Sequence, residues 1–316
     1  MSSVAVIVAA YQAEATIERA LASVVDEPEA SEVIVVDDGS GDGTVARARA
    51  FAERSPKVKV IQFDRNRGPS AARNRAIAES AAPWLTVLDA DDFLQPGRLA
   101  RLIALADGYD FVADDLFQVD EGFESAPPRT VWQAGAWAPL DLDLAAFVAA
   151  NVPDPSRPRR ELGFLKPLMR RAALDRLALR YDESIRLGED YDLYARALAA
   201  RARFRFAPAQ GYVSVVRANS LSGAHAIADL ERLRDVDTAL LQRTDLTQAE
   251  IHALRRHRIS TDKRLQWRIV IDAVKTRDPV RFGAAFLRGP EVAAHLAGQL
   301  AADFDRRILR RNVAAS

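Results

Sequence analysis

The chain has 316 residues, 49% of them hydrophobic, with 44 basic and 44 acidic side chains and a net charge of +0. Such a chain is globular, either one large α/β domain with an appendage or two small domains, and it sets up no global field for nucleic acid. The absence of cysteine excludes disulfides, thiolate catalysis and cysteine-held zinc, as expected in a reducing compartment. Charge is unevenly spread: His225 to Ser316 holds 17 basic and 12 acidic residues, against 27 and 32 before it. All four histidines, His225, His252, His257 and His295, lie in that tail, so chemistry in the front part must come from carboxylates. No segment reaches the roughly 18 uninterrupted apolar residues of a membrane span, and the first residues lack a basic leader, so a cytoplasmic location is expected.

Val4 to Ala10 is a near-continuous apolar run, the pattern of a strand buried on both faces. Tyr11 and Gln12 make a turn, and Ile17, Ala20, Leu21 and Val24 recur at helical spacing through Val25. Val33 to Val36 is a second buried strand, ending in Asp37, Asp38, Gly39 and Ser40, with a helix from Thr44 to about Arg54. Val58 to Phe63 is a third strand, followed by a turn, an N-cap at Ser70 and a helix to Ser80. This alternation predicts parallel strands with right-handed crossovers in a doubly wound, mostly parallel sheet flanked by helices. Neither G-x-G-x-x-G nor G-K-S/T follows the first strand, so dinucleotide and P-loop readings fail.

The fourth strand, Trp84 to Leu88, ends in three carboxylates, Asp89, Asp91 and Asp92. Packed at the carboxyl end of an α/β strand, where ligands bind, such acids suit a hard divalent cation, Mg²⁺ or Mn²⁺, which takes one or two carboxylates plus substrate phosphates. The other reading is an Asp-rich turn that caps a helix beginning near Pro96.

Five segments carry a specific resemblance: V-I-V-A-A-Y-Q-A-E from Val6, V-V-D-D-G-S from Val35, N-R-G-P-S-A-A-R-N from Asn66, L-D-A-D-D from Leu88 and G-E-D-Y-D-L from Gly188. In this order they resemble the family 2 glycosyltransferases of GT-A fold, over roughly residues 4 to 222. The resemblance implies a nucleotide-diphospho-sugar donor, UDP favoured, and a glycan or lipid-linked acceptor in cell-surface polysaccharide synthesis. It implies Asp91 as metal ligand, Asp89 near ribose or metal, and Asp92 as their neighbour. Asp38 would accept from the nucleobase imide, Tyr11 would stack on the base, and Ala9 would lie in a turn where the family often has Pro. Arg73 and Arg217 would contact phosphate. Asp190 would be the general base that activates the acceptor, with Glu189 beside it in a cleft that solvent reaches, and transfer would invert the anomeric carbon. The same pair also suits the N-terminus of a helix. A non-catalytic nucleotide-sugar-binding protein is the rival from another class, and a sugar nucleotidyltransferase is disfavoured because no Gly-rich loop follows the first strand.

Further on, Phe111 to Val119 reads as one strand carrying Asp114 and Asp115 beside the metal site. Trp132 and Trp137 lie in an irregular stretch, either an acceptor-side loop or a packed one. Asn151 to Arg160 reads as a basic, proline-rich loop. Phe204 to Ala207 and Tyr212 to Val216 are late strands, and R-A-N-S-L-S from Arg217 resembles a Ser-rich loop near the diphosphate. The expected division is 1–224, with halves 1–115 and 116–224, and a helical region 225–316. There Val292, Leu296, Leu300, Phe304 and Ile308 form an apolar stripe from Pro290, ending in Arg306, Arg307, Arg310 and Arg311. That stripe suits packing on the catalytic domain, a homodimer contact, or an interfacial membrane helix.

Overall fold

The computed structural model describes residues 3–124, 126–153, 161–217 and 226–314, with side chains as far as 303. The chain divides into two compact units, Met1–Leu221 and Ser222–Ser316.

The first unit is built on an eight-stranded sheet in the order β3-β2-β1-β4-β10-β6-β11-β9. Strands β1 (Val4–Ala10), β2 (Ala30–Asp37), β3 (Val58–Gln62) and β4 (Trp84–Val87) are parallel, as the βαβ alternation requires. The crossovers are α1 (Ile17–Val25), α2 (Thr44–Ala52) and α3 (Pro69–Glu79). Beyond β4 the sheet continues through β6 (Phe111–Asp114), β9 (Leu140–Leu142), β10 (Leu168–Arg170) and β11 (Phe204–Ala207), with β9 and β10 antiparallel to their neighbours. Ile7, Val8, Val33, Val35, Leu85 and Phe111 are wholly covered, which is why these strands read as continuous apolar runs.

A second, four-stranded sheet, β5-β12-β7-β8, consists of β5 (Phe93–Leu94), β7 (Phe117–Asp120), β8 (Arg129–Thr130) and β12 (Tyr212–Val216). The single strand expected over Phe111 to Val119 is therefore two strands in two sheets. The break has a physical cause: Asp114 and Asp115 are both buried and need partners. Asp114 takes the fully buried Arg98 guanidinium at 2.6 Å, and Asp115 accepts the N–H groups of Trp132 and Gln133 at 2.9 and 3.2 Å. Both acids are thus occupied by protein partners.

Three other expectations are corrected. Ala9 lies inside β1, paired with Val36, and the turn starts at Tyr11. Ser70 is not an N-cap: α3 starts at Pro69 after Gly68, and the Ser70 hydroxyl donates to the Ile185 carbonyl at 2.8 Å. The strand-end acids do not cap the next helix either. That helix, α4 (Arg98–Ala104), follows Gly97, whose N–H donates to Glu27 at 2.6 Å.

Remaining helices of the first unit are α5 (Leu144–Ala150), α6 (Arg171–Arg176) and α7 (Glu189–Ala199). Trp132 and Trp137 are half-buried, with ring centroids 5.7 and 5.1 Å from that of Phe206, so this stretch is a packed loop. Most of the basic loop after Pro153, and the Ser-rich stretch after Arg217, lie outside the described residues.

The second unit is helical, as expected: α8 (Ile227–Leu240), α9 (Gln248–Thr276), α10 (Pro279–Ala285) and α11 (Pro290–Ala314). A capping box starts α9, with Thr247 and Glu250 each accepting the other's backbone N–H, and His257 meets buried Asp237 of α8 at 2.7 Å. Val292, Leu296 and Leu300 of α11 pack on Val270 of α9 and Ala285 of α10. The described part of the expected membrane stripe is thus core of this unit. Phe304, Ile308 and the four arginines lie beyond the described side chains. Among the described residues no helix is long and apolar enough to cross a membrane.

Candidate active site

The acids of the front part converge at the carboxyl ends of the parallel strands. Asp37 and Asp38 follow β2, and the Asp38 carboxylate accepts the N–H groups of Arg67 and Gly68 at 2.6 and 2.9 Å, tying this strand end to the start of α3. Each oxygen keeps a lone pair for another donor. Gly39 is required here. Its φ is +75°, and an added Cβ would come within 2.6 Å of the Arg65 backbone. Tyr11, at the end of β1, is 46% exposed, so its ring face is available to a planar ligand.

At the end of β4 the three aspartates have three different environments. Asp92 is buried with both oxygens taken: one accepts from the Tyr212 hydroxyl at 2.8 Å, the other from the Val215 N–H at 2.9 Å. Burial, with Asp89 and Asp91 nearby, pushes its pKa well above the usual range. Expected as a metal neighbour, it acts as the bolt between this turn and β12. The Tyr212 oxygen also accepts the Asp89 N–H at 3.2 Å.

Asp89 is clamped by two cations, the Arg73 guanidinium at 3.1 Å and the Lys166 ammonium at 2.9 Å. Burial would raise its pKa, but Lys166 and Arg73 outweigh burial and hold it below the usual range. The same two cations reach α7. Lys166 is 2.7 Å from Asp190, and Arg73 is 2.5 Å from Glu189 and 3.4 Å from Asp190. Gly188, at φ +88°, makes the turn that presents this acid pair. The Arg73 side chain is 5% exposed and lies over the Tyr181 ring. Expected to contact phosphate, it pairs through Nη1 and Nη2 with three carboxylates, while its Nε has no hydrogen-bond partner among the described residues. The cleft expected around Asp190 is closed as well, with that side chain only 8% exposed. Burial pushes the Glu189 carboxyl up, partly offset by Arg73.

Lys166 is the residue that the sequence reading missed. Its signal was a lone charge in the run Leu162 to Met169. Its burial costs charge stability, but Asp190 and Asp89 raise its pKa above the ordinary lysine value. Arg98, fixed by Asp114, donates to the Lys166 carbonyl at 2.6 Å and so holds this segment in place.

Asp91 is held differently. It is 41% exposed, its cationic neighbour is Arg217 at a long 3.7 Å, and burial plus Asp89 raise its pKa. Arg217 in turn has two buried nitrogens, Nε and Nη2, with no hydrogen-bond partner among the described residues. No three acidic or histidine side chains gather there as a complete ligand set, again among the described residues. The donors available suit a hard cation held through Asp91 and completed by oxygens from a ligand.

A mostly parallel sheet with acids gathered at its strand ends, followed by a smaller sheet, defines a GT-A type of fold. Solved structures agree: S. aureus TarS 1-349 in complex with UDP-GlcNAc superposes with a TM-score of 0.63 at 17% identity, over 90% of each chain. The mannosyltransferase PcManGT of Pyrobaculum calidifontis in complex with GDP-Man and Mn²⁺ gives 0.58 at 19% identity, over 95% of this chain and 80% of that one. The profile of Glycosyl transferase family 2 matches residues 5–157. Succinoglycan biosynthesis protein ExoU of Rhizobium meliloti (strain 1021) is 44% identical over 97% of this chain and 89% of its own length. ExoO of the same strain is 34% identical over 96% and 86%. The chain belongs to glycosyltransferase family 2.

Proposed function

We propose that the protein transfers a sugar from a nucleotide-diphospho-sugar, with UDP as the favoured nucleotide, to a hydroxyl of a glycan or lipid-linked glycan, inverting the anomeric carbon, during exopolysaccharide assembly. The observation that carries this is the loosely paired Asp91–Arg217, at 3.7 Å, beside acids held by Arg73 and Lys166 at 2.5 to 3.4 Å. Asp91, a carboxylate with a raised pKa, and Arg217, half-buried with Nη2 lacking a hydrogen-bond partner among the described residues and Nε only at 3.5 Å from Glu121, suit the same kind of ligand, a diphosphate with its cation. Full-length likeness to two succinoglycan biosynthesis proteins supports the exopolysaccharide context.

In this reading Tyr11 stacks on the nucleobase and Asp38 accepts its imide hydrogen through the lone pairs left by Arg67 and Gly68. Arg217 binds the diphosphate. Asp91, with Asp89 beside it, would hold Mg²⁺ or Mn²⁺. When bound, that cation neutralises charge that grows on the leaving diphosphate. The acceptor oxygen forms its bond to C1 as the bond from C1 to the diphosphate breaks, and Asp190 takes the hydroxyl proton. Lys166 and Arg73, at 2.7 and 3.4 Å, hold Asp190 oriented for that step. Asp92 stays with Tyr212 and Val215 as a positioning group.

A second assignment of the base rests on one observation. Glu189 has a single cation partner and a carboxyl pushed up by burial, which brings it closer to a neutral operating pH than an ordinary glutamate. The purified protein, screened against UDP- and GDP-sugars with and without Mn²⁺ and with glycan acceptors, is expected to release nucleoside diphosphate from a UDP-sugar. Donor binding without release under any acceptor would instead support the non-catalytic reading.

A further inference from the structure

In the second unit, α10 and the 3-10 turn that continues it, Phe286–Arg288, are apolar on two opposite sides. One side is core: Ala285 is 2% exposed, and Phe282 and Phe286 pack with Val270, Val292 and Leu296. The other side carries Val280, Gly283, Ala284 and Leu287, spaced i, i+3, i+4 and i+7, so these residues share one face. All four are exposed. Val280 and Leu287 reach 80% and 85%, the most exposed large apolar side chains described, and Val274 in the last turn of α9 adds 58%. A helix apolar on two opposite sides buries only one of them here, so this outer face lacks a covering partner within its own unit.

The residues around it say what would cover it. Lys275 and Arg277 precede the face and Arg288 follows it. All three are exposed and make no ion pair among the described residues. The nearby acids are engaged: Asp272 pairs with Arg281, and Asp278 accepts the Arg281 N–H as the cap of α10. An apolar face bordered by unneutralised cations complements a surface that is apolar inside and anionic outside. We propose that α10, its following turn and the end of α9 form a membrane-docking surface, with Val280 and Leu287 entering the headgroup boundary of an anionic bilayer and Lys275, Arg277 and Arg288 meeting its phosphates. This places the lipid contact at the α9–α10 corner and not on the Val292–Leu296–Leu300 stripe, which is already buried. It does not depend on the transfer reaction.

The test is sedimentation of the full chain with liposomes of phosphatidylcholine alone and with about 30 mol% phosphatidylglycerol, at low and high salt. Binding is expected only to the anionic vesicles and is weakened by salt. Lys275→Gln, Arg277→Asn and Arg288→Gln combined should lower the partition coefficient about 100-fold, since each basic side chain near the surface is worth roughly fivefold. Asn is chosen at 277 because Arg277 ends α9 at φ +57°. Val280→Ser with Leu287→Ser should lower it at least about tenfold. Both variants alter exposed side chains, so unchanged thermal melts show that the fold is intact. Absence of anionic-vesicle binding by the parent chain overturns the proposal, as does full binding by both variants. A concentration-dependent dimer abolished by the Ser pair, in a chain that ignores vesicles, would assign the face to a second copy instead.

Discussion

Two carboxylate groups share the end of β4, and they are held in opposite ways. Asp89, with Glu189 and Asp190 of α7, is pinned by Arg73 and Lys166, both nearly buried, in contacts of 2.5 to 3.4 Å. Asp91 is two residues away, 41% exposed, with Arg217 at 3.7 Å. The pinned group sets three carboxylates against two cations without a ligand, and removing either cation leaves buried carboxylates unpaired. The open group is incomplete, and its charge is the part left for a ligand to satisfy. Preorganisation and binding are thereby assigned to different aspartates of one short turn.

The sharpest way to break the pinned side is from beneath. Asp114→Ala would strand the fully buried Arg98, which positions Lys166 through its carbonyl, and is expected to cost about 3–5 kcal/mol in urea-unfolding experiments. Next in size, Asp190→Asn should lower transfer about 10²-fold or more while donor affinity, read by calorimetry, stays near that of the parent. If Glu189→Gln shows the larger rate loss and Asp190→Asn the smaller, the base is Glu189. On the open side, Asp91→Ala should weaken UDP binding in Mn²⁺ about tenfold, an effect of roughly 1.4 kcal/mol, and should remove its sensitivity to EDTA. EDTA-sensitive binding that survives the substitution would place the cation elsewhere.

The smallest expected effect is on pH dependence, where the two sides have opposite signs. The Asp89 carboxyl is lowered in the fold, so its contribution to stability is full above the ordinary aspartate range and is lost as pH falls through its lowered value. Asp91 is raised, so its contribution is full below that range and is lost as pH rises through its raised value. Added Mn²⁺ should offset that loss. Thermal melts should therefore show stabilisation by Mn²⁺ at neutral pH that fades as pH falls through the raised value of Asp91, and Asp91→Asn should flatten the response.

The parallel half of the fold was legible in the sequence because its strands are covered on both faces and read as unbroken apolar runs between helical periods. The switch between sheets was not, because Phe111 to Val119 is continuously compatible with one strand and only the need to satisfy Asp114 and Asp115 breaks it. At the site, the acids were visible by type and spacing. Their cations were not. Arg73 lies 116 residues from Glu189, and Lys166 lies 24 residues from Asp190, so no local pattern announces either pairing. A reading from sequence sees which charges exist, and it cannot see which of them are already spent on each other.

The Tyr212 hydroxyl, which joins Asp92 to Asp89, has a consequence for the birth of the protein. The bonds from β12 to the β4 turn span 120 and 123 residues of chain. A ribosome that adds residues from the N-terminus will have completed the whole parallel core, β1 to β4, long before Tyr212 and Val215 emerge. During that interval Asp89, Asp91 and Asp92 have neither their bolt nor Lys166 and Arg217, and of their cations only Arg73 has been made. The acid turn is thus among the last places of the first unit to be completed, because Lys166, Tyr212, Val215 and Arg217 all follow the parallel strands in the chain.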